Sequence, residues 1–375
     1  MPLDGGEVAD DTRIRAALPT IELLLENEAA IVLCSHLGRP KDREPDLSMR
    51  PVAERLGALL KAEVELAPAV VGPEVAERAE ATEPGSILLL ENTRYEPGEK
   101  QNDPDLARDL AELAHLYVND AFGAAHRAHA STEGVARLLP AHAGLLLERE
   151  LDELTSVTED PRRPLVVVLG GAKVTDKIGV IDRFLDLADA ILIGGAMCFS
   201  FYRAQGHETG NSLVEDEGVE LAREALERAE GSSCDLLLPT DLVIGESFSP
   251  DAEPQQLNGV DVPEGMMGLD IGPQSAAAYA ERIAAAGTVF WNGPMGAFEL
   301  APFAAGTRTV AEAVASTGAT TIVGGGDSGA ALVQFGLGDD VDWLSTGGGA
   351  SLELIEGKEL PGVEALMDDD RKEQK

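Results

Sequence analysis

Apolar runs rich in Val, Ile and Leu alternate along the chain with segments in which apolar residues recur every three or four positions. The runs are continuous rather than alternating, which predicts β-strands buried on both faces. The segments between them predict amphipathic helices, and alternation of the two predicts parallel sheets with helices on both faces. The predicted strands are 30–34, 86–90, 115–118, 165–169, 190–193, 235–238, 288–291 and 320–323, and the clearest helices are 12–27, 50–62, 216–229 and 275–286.

A long helical pattern over 145–160 lies between the earlier and the later strands and ends at Pro161 and Pro164. Helices usually end before proline, so this segment predicts one helix that connects two α/β domains. A chain of 375 residues is long enough for them. We therefore expect two doubly wound parallel-sheet domains that face each other across a cleft, with bounds 1–147 and 163–360 and an interdomain helix at 148–162.

The net charge of the chain excludes two classes of binding partner. The chain has 29 Lys and Arg against 67 Asp and Glu, a formal net charge of −38. Such a charge repels nucleic acids and anionic membranes, so neither is expected as a partner. The acids are scattered, which favours a solvated carboxylate shell suited to high salt; an acidic surface that binds a partner is the alternative.

Three features that the sequence lacks bear on where in the cell the protein is found. The longest uncharged run, 283–298, is too short and too polar for a transmembrane helix. The first residues show neither the basic start nor the apolar run of a secretory signal. Three widely spaced cysteines form no disulfide framework. Together these features predict a cytoplasmic protein.

Glycine clusters follow five of the strands in the second half of the chain. In parallel sheets, ligands bind at the carboxyl ends of strands, where glycine lets backbone N–H groups and helix N-termini approach phosphates. One such loop is weak support for this interpretation, but five in one half predict a polyphosphate site. The loops lie in 169–173, 193–196, 291–296, 323–328 and 345–349.

The segment 324–329 fits the dinucleotide pattern G-x-G-x-x-G, after a strand and before a helix. Asp327 inside this turn would repel a pyrophosphate unless a cation intervened, and Mg²⁺ shared between one carboxylate and nucleotide phosphates resolves the conflict. Lys173 and Lys177 are expected four residues apart on one helix face, where they would neutralise phosphate. Two solvated helix lysines are the alternative.

Basic side chains follow three strands of the first half, and their positions predict a pocket for a small anion within an acidic protein. Alternatively, any one arginine forms a surface ion pair, His126 and His129 form a metal pair, or Cys34 and His36 form a reactive thiol pair. We expect Cys34 to be a small buried apolar residue instead. The basic residues are Arg13, His36, Arg39, Arg94, His126, Arg127 and His129.

An anion pocket in one half and a polyphosphate site in the other suit phosphoryl transfer by domain closure. Two alternatives stay open at this point. An NAD-dependent dehydrogenase would use 324–329, with Asp339, Asp340 or Asp342 binding the ribose. A two-lobed anion-binding protein would need no chemistry.

Several long segments together resemble the phosphoglycerate kinase family: 11–21, 35–40, 118–123, 170–177, 268–273, 291–299, 324–328 and 345–353. The resemblance runs almost from end to end. It implies a cytoplasmic, hinge-bending monomer of glycolysis that reversibly transfers a phosphoryl group from 1,3-bisphosphoglycerate to MgADP, giving 3-phosphoglycerate and ATP.

The resemblance also implies a role for individual residues. Arg13, Lys173, Gly326 and Gly349 would be catalytic, and Asp327 would bind the magnesium ion of the nucleotide. Phosphoglycerate would be bound by Arg13, His36, Leu37, Gly38, Arg39, Arg94 and Arg127. ADP or ATP would be bound by Lys173, Lys177, Gly195, Gly268, Asn292, Pro294, Glu299, Gly325, Gly326, Asp327 and Ser328.

The beginning of the chain departs from the family pattern. The family starts with a strand that leads into an Asp-x-Asn-x-Pro motif, whereas the segment 1–4 matches only the residues that come after that motif. We therefore expect the phosphoglycerate-binding domain to lack one strand and two polar substrate contacts, and to bind phosphoglycerate poorly. The family also implies that the tail, about 361–375, packs on this first domain.

Overall fold

Strands and α-helices are interspersed through residues 3–370, the part of the chain that the computed structural model describes. The strands are β1 Leu3–Asp4, β2 Glu7–Val8, β3 Ile31–Leu33, β4 Val64–Leu66, β5 Ile87–Leu89, β6 Tyr117–Asn119, β7 Ala141–Ala143, β8 Leu165–Leu169, β9 Ala190–Ile193, β10 Asp235–Leu237, β11 Leu242–Gly245, β12 Gln255–Leu257, β13 Met267–Ile271, β14 Thr288–Asn292, β15 Thr320–Gly324 and β16 Trp343–Leu344. The helices are α1 Thr12–Glu26, α2 Arg50–Leu60, α3 Pro73–Ala81, α4 Pro104–Ala111, α5 Phe122–Ala125, α6 Leu145–Glu159, α7 Ile178–Leu187, α8 Cys198–Ala204, α9 Asp216–Glu230, α10 Pro273–Ala284, α11 Ala305–Ser316, α12 Gly326–Phe335, α13 Gly349–Ile355 and α14 Pro361–Asp370.

Every strand and helix predicted from the sequence pattern is present, with its ends shifted by at most two residues. The predicted α/β class with parallel sheets is therefore confirmed. The chain divides into two compact units, one from the start to Leu151 together with the residues from Glu359 onward, the other Asp152–Lys358. Helix α6 begins in the first unit and ends in the second.

The second unit contains a six-stranded parallel sheet in the order β10-β9-β8-β14-β15-β16. Strands β8 and β9 are buried on both faces, as predicted for continuous aliphatic strands. On one face, Trp291 belongs to a buried cluster with residues of α10, α11 and α12. On the other, Phe290 packs against Phe184 of α7, with 5.6 Å between ring centres. Each such buried side chain contributes about 1.5–3 kcal/mol to folding.

A smaller antiparallel sheet, β12-β11-β13, also lies in the second unit. The sequence pattern did not predict it, because β12 reads Gln-Gln-Leu and carries no apolar run. This sheet places Gly268 and Asp270 on a buried strand, β13.

The first unit contains the parallel strands β3-β5-β4 and a separate parallel pair, β6-β7. The middle strand β5 is fully buried, but β3 and β6 are only partly buried, as is β10 in the second unit. The prediction that both faces are covered is wrong for these three strands. Each pairs with one neighbour among the described residues and is the end strand of its sheet, so less protein covers it. That a strand is missing from this unit stays a prediction.

Helix α14 belongs to the first unit, where Ala365 packs with Ala136 and Ala141 of β7. Asn119 at the end of β6 donates from Nδ2 to the carbonyl of Gly362, at 3.2 Å. The part of the expected tail at residues 371–375 lies outside the described residues. Within 3–370, no helix has the length and apolar composition needed to cross a membrane.

The start of helix α6 is fastened to two elements of the first unit. The carboxylate of Asp120, just after β6, accepts hydrogen bonds from the backbone N–H groups of Leu146 and Leu147, at 2.9 and 3.3 Å. The hydroxyl of Thr20 in α1 accepts one from Leu145 N–H, at 2.9 Å. These contacts satisfy N–H groups that a helix leaves free at its first turn.

Candidate active site

The five predicted glycine loops lie at one edge of the large sheet, because β8, β9, β14, β15 and β16 are parallel and each loop follows its strand. Four of the loops are hydrogen bonded to one another. Gly170 N–H donates to Asn292 O at 3.0 Å, and Gly195 N–H donates to Met295 O at 2.9 Å. Gly293 N–H donates to Ser328 Oγ at 2.6 Å. The loops therefore form one continuous backbone surface in the second unit.

Close approach of the chain explains the glycine at position 195. Gly195 has φ +67°, a left-handed conformation that residues with a side chain rarely adopt. A Cβ atom there would lie 2.4 Å from Gly171 N and 2.9 Å from Pro294 O. Any side chain at 195 would push the loops after β8 and β14 away from each other.

Lys177 is buried at this edge and donates from Nζ to the backbone carbonyl of Asn292 at 2.9 Å and to its side-chain Oδ1. Burial lowers the pKa of Lys177 to about 8, although the carboxylates of Asp327 and Asp176 act in the opposite direction. A nearby phosphate would favour the charged form of this amine. Lys177 is therefore a buried cation among the glycine loops and not a solvated helix lysine.

The prediction that Lys173 and Lys177 share a helix face is wrong. Helix α7 begins only at Ile178. Lys177 ends the turn before it, which is closed by a bond from Lys177 N–H to Val174 O at 2.9 Å, and Lys173 precedes that turn. Lys173 is exposed. Against the effect of burial, hydrogen bonds from Thr175 lower the pKa of Glu215, and the charge of Lys173 lowers it to a smaller extent.

Helix α12 begins directly after β15, and its first turn contains Gly326, Asp327 and Ser328. Backbone N–H groups and the helix dipole at such an end attract phosphate. Asp327 is exposed there, and beside Gly326 a side chain would meet open space. Helix α13 begins with Gly349 after the last glycine loop, where Ser345 N–H bonds to Val323 O of β15 at 2.8 Å.

A magnesium ion that arrives with a nucleotide fits this donor set. Mg²⁺ prefers oxygen ligands, keeps several waters and is commonly held by one or two carboxylates together with substrate phosphates. Asp327 supplies one carboxylate beside a phosphate-binding helix end. In residues 3–370, no group of three or more His, Cys, Asp or Glu side chains could hold a metal ion without such phosphates.

Other residues that the resemblance assigns to ADP or ATP lie around the same loops. Helix α8 follows the Gly195 loop and places Phe199 against Gly268, where a Cβ atom would lie 2.1 Å from the ring. Ala297 N–H donates to Leu269 O at 2.8 Å, which joins the loop that contains Pro294 and Glu299 to strand β13. Glu299 is exposed in this loop.

The dinucleotide alternative requires an acid near the glycine turn, and the structure places Asp342 elsewhere. Its Oδ2 accepts hydrogen bonds from the N–H and the hydroxyl of Thr321, at 2.8 and 3.1 Å. Thr321 is near the start of β15 and Asp342 directly precedes β16. Asp342 therefore lies at the amino ends of the strands, away from the glycine loops at their carboxyl ends.

The first unit brings six of the predicted basic residues together. Arg127 Nε donates to His126 Nε2 at 3.0 Å, and Arg94 lies at the centre of the other five. Its Nη1 donates to the carbonyl of Gly38 at 2.6 Å. Partial burial lowers the pKa of Arg94, and the charges of Arg127 and Arg39 lower it further. The group comprises His36, Arg39, Arg94, Arg127 and His129, which we call the basic cluster.

Both histidines of the basic cluster are uncharged at neutral pH. Burial and then the charges of Arg94 and Arg127 lower the pKa of His36 to about 3 and that of His129 to about 4. The cluster thus concentrates guanidinium groups that repel one another, and a bound anion would relieve this repulsion. Arg94 Nε is buried without a hydrogen-bond partner in the structure.

Arg13 is exposed in the first turn of α1, with Asp10 as a charged neighbour. Asp11 fastens this helix end by accepting hydrogen bonds from Arg15, at 2.8 Å, and from Arg55 of α2, at 2.8 Å to its Nε. That Arg13 shares a cavity with Arg39 and Arg127 stays a prediction.

Sequence reasoning missed two buried polar residues of this region and misplaced a third. Asn92 and Glu99 are fully buried among the loops of the basic cluster. Asn92 follows an apolar strand, a signal that could have found it, whereas Glu99 has no such pattern. The prediction that Cys34 is buried is wrong: it is exposed just after β3, the end strand of its sheet among residues 3–370. Desolvation and the Glu99 carboxylate still raise the pKa of the Cys34 thiol to about 12, which disfavours a reactive thiolate.

Known proteins match the chain over almost its whole length. The sequence model of the family described as phosphoglycerate kinase matches residues 1–358. The chain belongs to the phosphoglycerate kinase family. It is 54% identical over 372 residues to the phosphoglycerate kinase of Roseiflexus sp. (strain RS-1), a match that covers 98% of this chain and 94% of that protein. It is 52% identical to that of Thermosipho africanus (strain TCF52B), covering 98% and 92%.

Solved structures of phosphoglycerate kinases have the same fold. That of the Coxiella burnetii enzyme gives a TM-score of 0.88 at 41% sequence identity and covers 98% of this chain and 94% of its own. That of Pyrococcus horikoshii OT3 gives 0.87 at 30% identity, covering 99% and 94%. The resemblance predicted from the motifs is confirmed, and the dehydrogenase alternative has no support among these relatives.

Asp270 provides a test, through pH, of the packing around the glycine loop that contains Gly296. Its carboxyl group is buried beside Gly296 and accepts hydrogen bonds from Gly306 N–H at 2.6 Å and Ile271 N–H at 2.9 Å. Burial raises the pKa of Asp270 to about 8, against 3.8 ordinarily. Between these values the folded state binds more protons than the unfolded state, so the stability due to this group falls as pH rises.

We expect the difference in free energy of unfolding between the wild type and Asp270→Asn to fall by up to about 1.4 kcal/mol per pH unit from pH 5 to 8. Urea unfolding of both proteins at several pH values measures this difference. Because the two proteins differ only at residue 270, the subtraction removes the contribution of every other titrating group. Parallel pH profiles for the two proteins would contradict the expectation.

Proposed function

We propose that this chain catalyses the reversible transfer of a phosphoryl group from the acyl phosphate of 1,3-bisphosphoglycerate to MgADP, which gives 3-phosphoglycerate and ATP. The observation that carries the proposal is the family match over residues 1–358. The glycine-loop edge in one unit and the basic cluster in the other support it, because each suits one of the two substrates.

The first unit would bind phosphoglycerate. Guanidinium groups bind carboxylate and phosphate with paired hydrogen bonds, and four arginines are available for a three-carbon acid phosphate. We assign this substrate to Arg13, His36, Leu37, Gly38, Arg39, Arg94 and Arg127, on a domain 1–147 to which the tail from 361 returns.

The second unit, with proposed bounds 163–360, would bind the nucleotide. Gly325, Gly326 and Ser328 at the start of α12 would hold phosphates, and Asp327 would hold their magnesium ion. Gly195, Gly268, Asn292, Pro294 and Glu299 would line the adenosine site. Lys177 would contact the nucleotide phosphates and the group being transferred, as a buried charge.

Transfer itself requires charge stabilisation and little other chemistry. An acyl phosphate is already activated, so no acid–base pair is needed, only donors directed at the charge that develops on the moving group. We assign this role to Arg13, Lys173 and the backbone N–H groups of Gly326 and Gly349. Direct transfer requires the two bound substrates to meet, so we propose that the protein bends at a hinge, with the segment 148–162 as the hinge helix. From the family we further propose a monomer in the cytoplasm.

The test is a coupled assay that follows ATP formation from 1,3-bisphosphoglycerate and MgADP, run in dilute buffer and in concentrated KCl. We expect ATP formation that requires both substrates and magnesium, with no reduction of NAD. A chain that binds 3-phosphoglycerate and nucleotide but never forms ATP would favour a two-lobed anion-binding protein instead.

We also propose that the acidic surface is an adaptation to high salt. The net charge of −38 creates repulsion that falls as the screening length drops from about 10 Å at 0.1 M salt to about 3 Å at 1 M. We expect the melting temperature to rise by several degrees between 0.1 and 1 M KCl, and equally in NaCl of the same ionic strength. A melting temperature that does not change with salt would favour a surface that binds a basic partner.

A further inference from the structure

We propose that Asn92 is a positioning residue for phosphoglycerate, because its carboxamide holds two substrate-binding segments in one fixed arrangement. The two segments are the loop 36–39, with His36 and Arg39, and the turn Thr93–Tyr95, with Arg94. The inference rests on the proposed function, in which these side chains bind the acid. It concerns a residue that would not touch the substrate itself.

The carboxamide of Asn92 makes four hydrogen bonds to backbone atoms. Nδ2 donates to the carbonyl of Leu37 at 2.8 Å and to that of Leu47 at 2.9 Å. Oδ1 accepts from Leu37 N–H and from Arg94 N–H, both at 3.2 Å. Two carbonyls face one end of the amide and two N–H groups face the other, so the orientation of the side chain is set by its partners.

These bonds fix the peptide on both sides of Leu37, between the two substrate residues His36 and Gly38. Gly38 turns there with φ +62°, and a Cβ atom at that position would lie 2.9 Å from the Leu47 side chain. The Gly38 carbonyl in turn accepts the 2.6 Å hydrogen bond from Arg94 Nη1. Asn92 therefore supports both ends of a contact that holds the Arg94 guanidinium beside the loop.

Burial makes the side chain hard to replace. Asn92 and Leu37 are both inaccessible to solvent, so water cannot take over a lost hydrogen bond without entering the core. An aspartate has the same shape, but its carboxylate only accepts hydrogen bonds when ionised. It would face the carbonyls of Leu37 and Leu47 without a proton to donate, and the loop would move away.

The experiment compares the wild type with Asn92→Asp. At pH 8 we expect the KM and the calorimetric dissociation constant for 3-phosphoglycerate to rise about tenfold or more, while the KM for MgATP stays within twofold. As pH falls from 8 to 6, protonation lets the aspartic acid donate one hydrogen bond, so the ratio of variant to wild-type KM should decrease. A residue that only stabilises the fold would not produce this split between substrates or this pH trend.

Val75→Ala is the matched control, since it removes buried contacts from α3 in the core of the same unit. It should lower the stability of this unit while both KM values stay within twofold. If Asn92→Asp does not fold, Asn92→Ser replaces it with the same expected rise at pH 8, because a hydroxyl can donate to only one of the two carbonyls.

The proposal about Asn92 is overturned if the Asn92 variant binds 3-phosphoglycerate as tightly as the wild type, or if Val75→Ala weakens binding equally. A wild type that binds 3-phosphoglycerate but forms no product contradicts the proposed function alone. In that case the calorimetric comparison of Asn92→Asp with the wild type still decides the role of Asn92.

Discussion

Replacement of Lys177 by methionine should lower kcat by about 10²- to 10³-fold without destabilising the protein. One donor directed at developing charge contributes about this factor in enzymes that act by electrostatic stabilisation. The stability expectation follows from the site: the ammonium group of Lys177 is buried, and burial lowers its pKa to about 8 from 10.5. Between these values the unfolded state binds more protons than the folded state, so the stability due to this group rises with pH.

At pH 7 the buried charge of Lys177 is therefore a cost to folding, which its proposed contact with the nucleotide phosphates and the transferred group explains. Methionine has a similar length and no charge, so it removes that cost together with the bonds to Asn292. We expect a melting temperature equal to or above that of the wild type at pH 7.

Lys358→Met is the control for this change of one charge. Lys358 is exposed in the same unit, where it pairs with Glu356, and its replacement should leave kcat within twofold. Steady-state kinetics with both substrates saturating and thermal unfolding at pH 7 measure the two effects. A Lys177→Met variant that keeps its kcat would contradict the assignment of this lysine to the phosphates.

Which features were predictable from sequence depends on the range of the interactions that create them. Strand β8 is a run of five aliphatic residues that must be buried on both faces wherever it lies, so composition alone predicts it. The same reasoning fails for β3, since the cover of a strand depends on which neighbours pair with it. Chain order does not determine those neighbours.

Among the candidate site residues too, local patterns could be predicted from sequence and long-range contacts could not. Glycine and arginine after a strand are recognisable because the carboxyl edge of a parallel sheet is a general binding place. The burial of Lys177 against Asn292, 115 residues away, depends on how loops fold over one another. So do three of the four bonds of Asn92, which reach loops 45 and 55 residues distant. Periodicity carries no information about such contacts, so the two lysines were wrongly placed on a helix face.

The acidic surface and the basic cluster are connected by electrostatics. Arg39, Arg94 and Arg127 repel one another within the first unit, as the lowered pKa of Arg94 indicates. Glu99 is a buried carboxylate beside them that raises the pKa of Arg94; it accepts hydrogen bonds from Ser131 N–H at 3.0 Å and from its hydroxyl at 2.6 Å. The positive potential that remains at the basic cluster would attract an anionic substrate to that one place on a strongly acidic protein.

This reasoning leads to the second large expected effect. Arg94→Met should raise the KM for 3-phosphoglycerate by about 10- to 100-fold, since a hydrogen bond to a charged group contributes about 1.5–3 kcal/mol. The KM for MgATP should stay within twofold, because the residues proposed for the nucleotide belong to the other unit. Stability should not fall much, as the loss of the bond to Gly38 is offset by relief of repulsion from Arg127 and Arg39.

Arg78→Met separates a local contact from the general field of the protein. Arg78 is an exposed arginine of α3 in the same unit, paired with Glu65 and Glu74 at 2.7 and 2.8 Å, and its loss changes the net charge by the same amount. If long-range attraction alone concentrated the substrate, both variants would raise the KM similarly, and the difference would vanish in 1 M KCl, where charges are screened within about 3 Å. A direct role predicts that the Arg94 effect persists in high salt and that Arg78→Met behaves as the wild type. Because this protein is so acidic, its long-range field must be screened before the two roles can be separated. In concentrated KCl, a guanidinium in contact with the substrate should still affect the KM, whereas one that only contributes to the field should not.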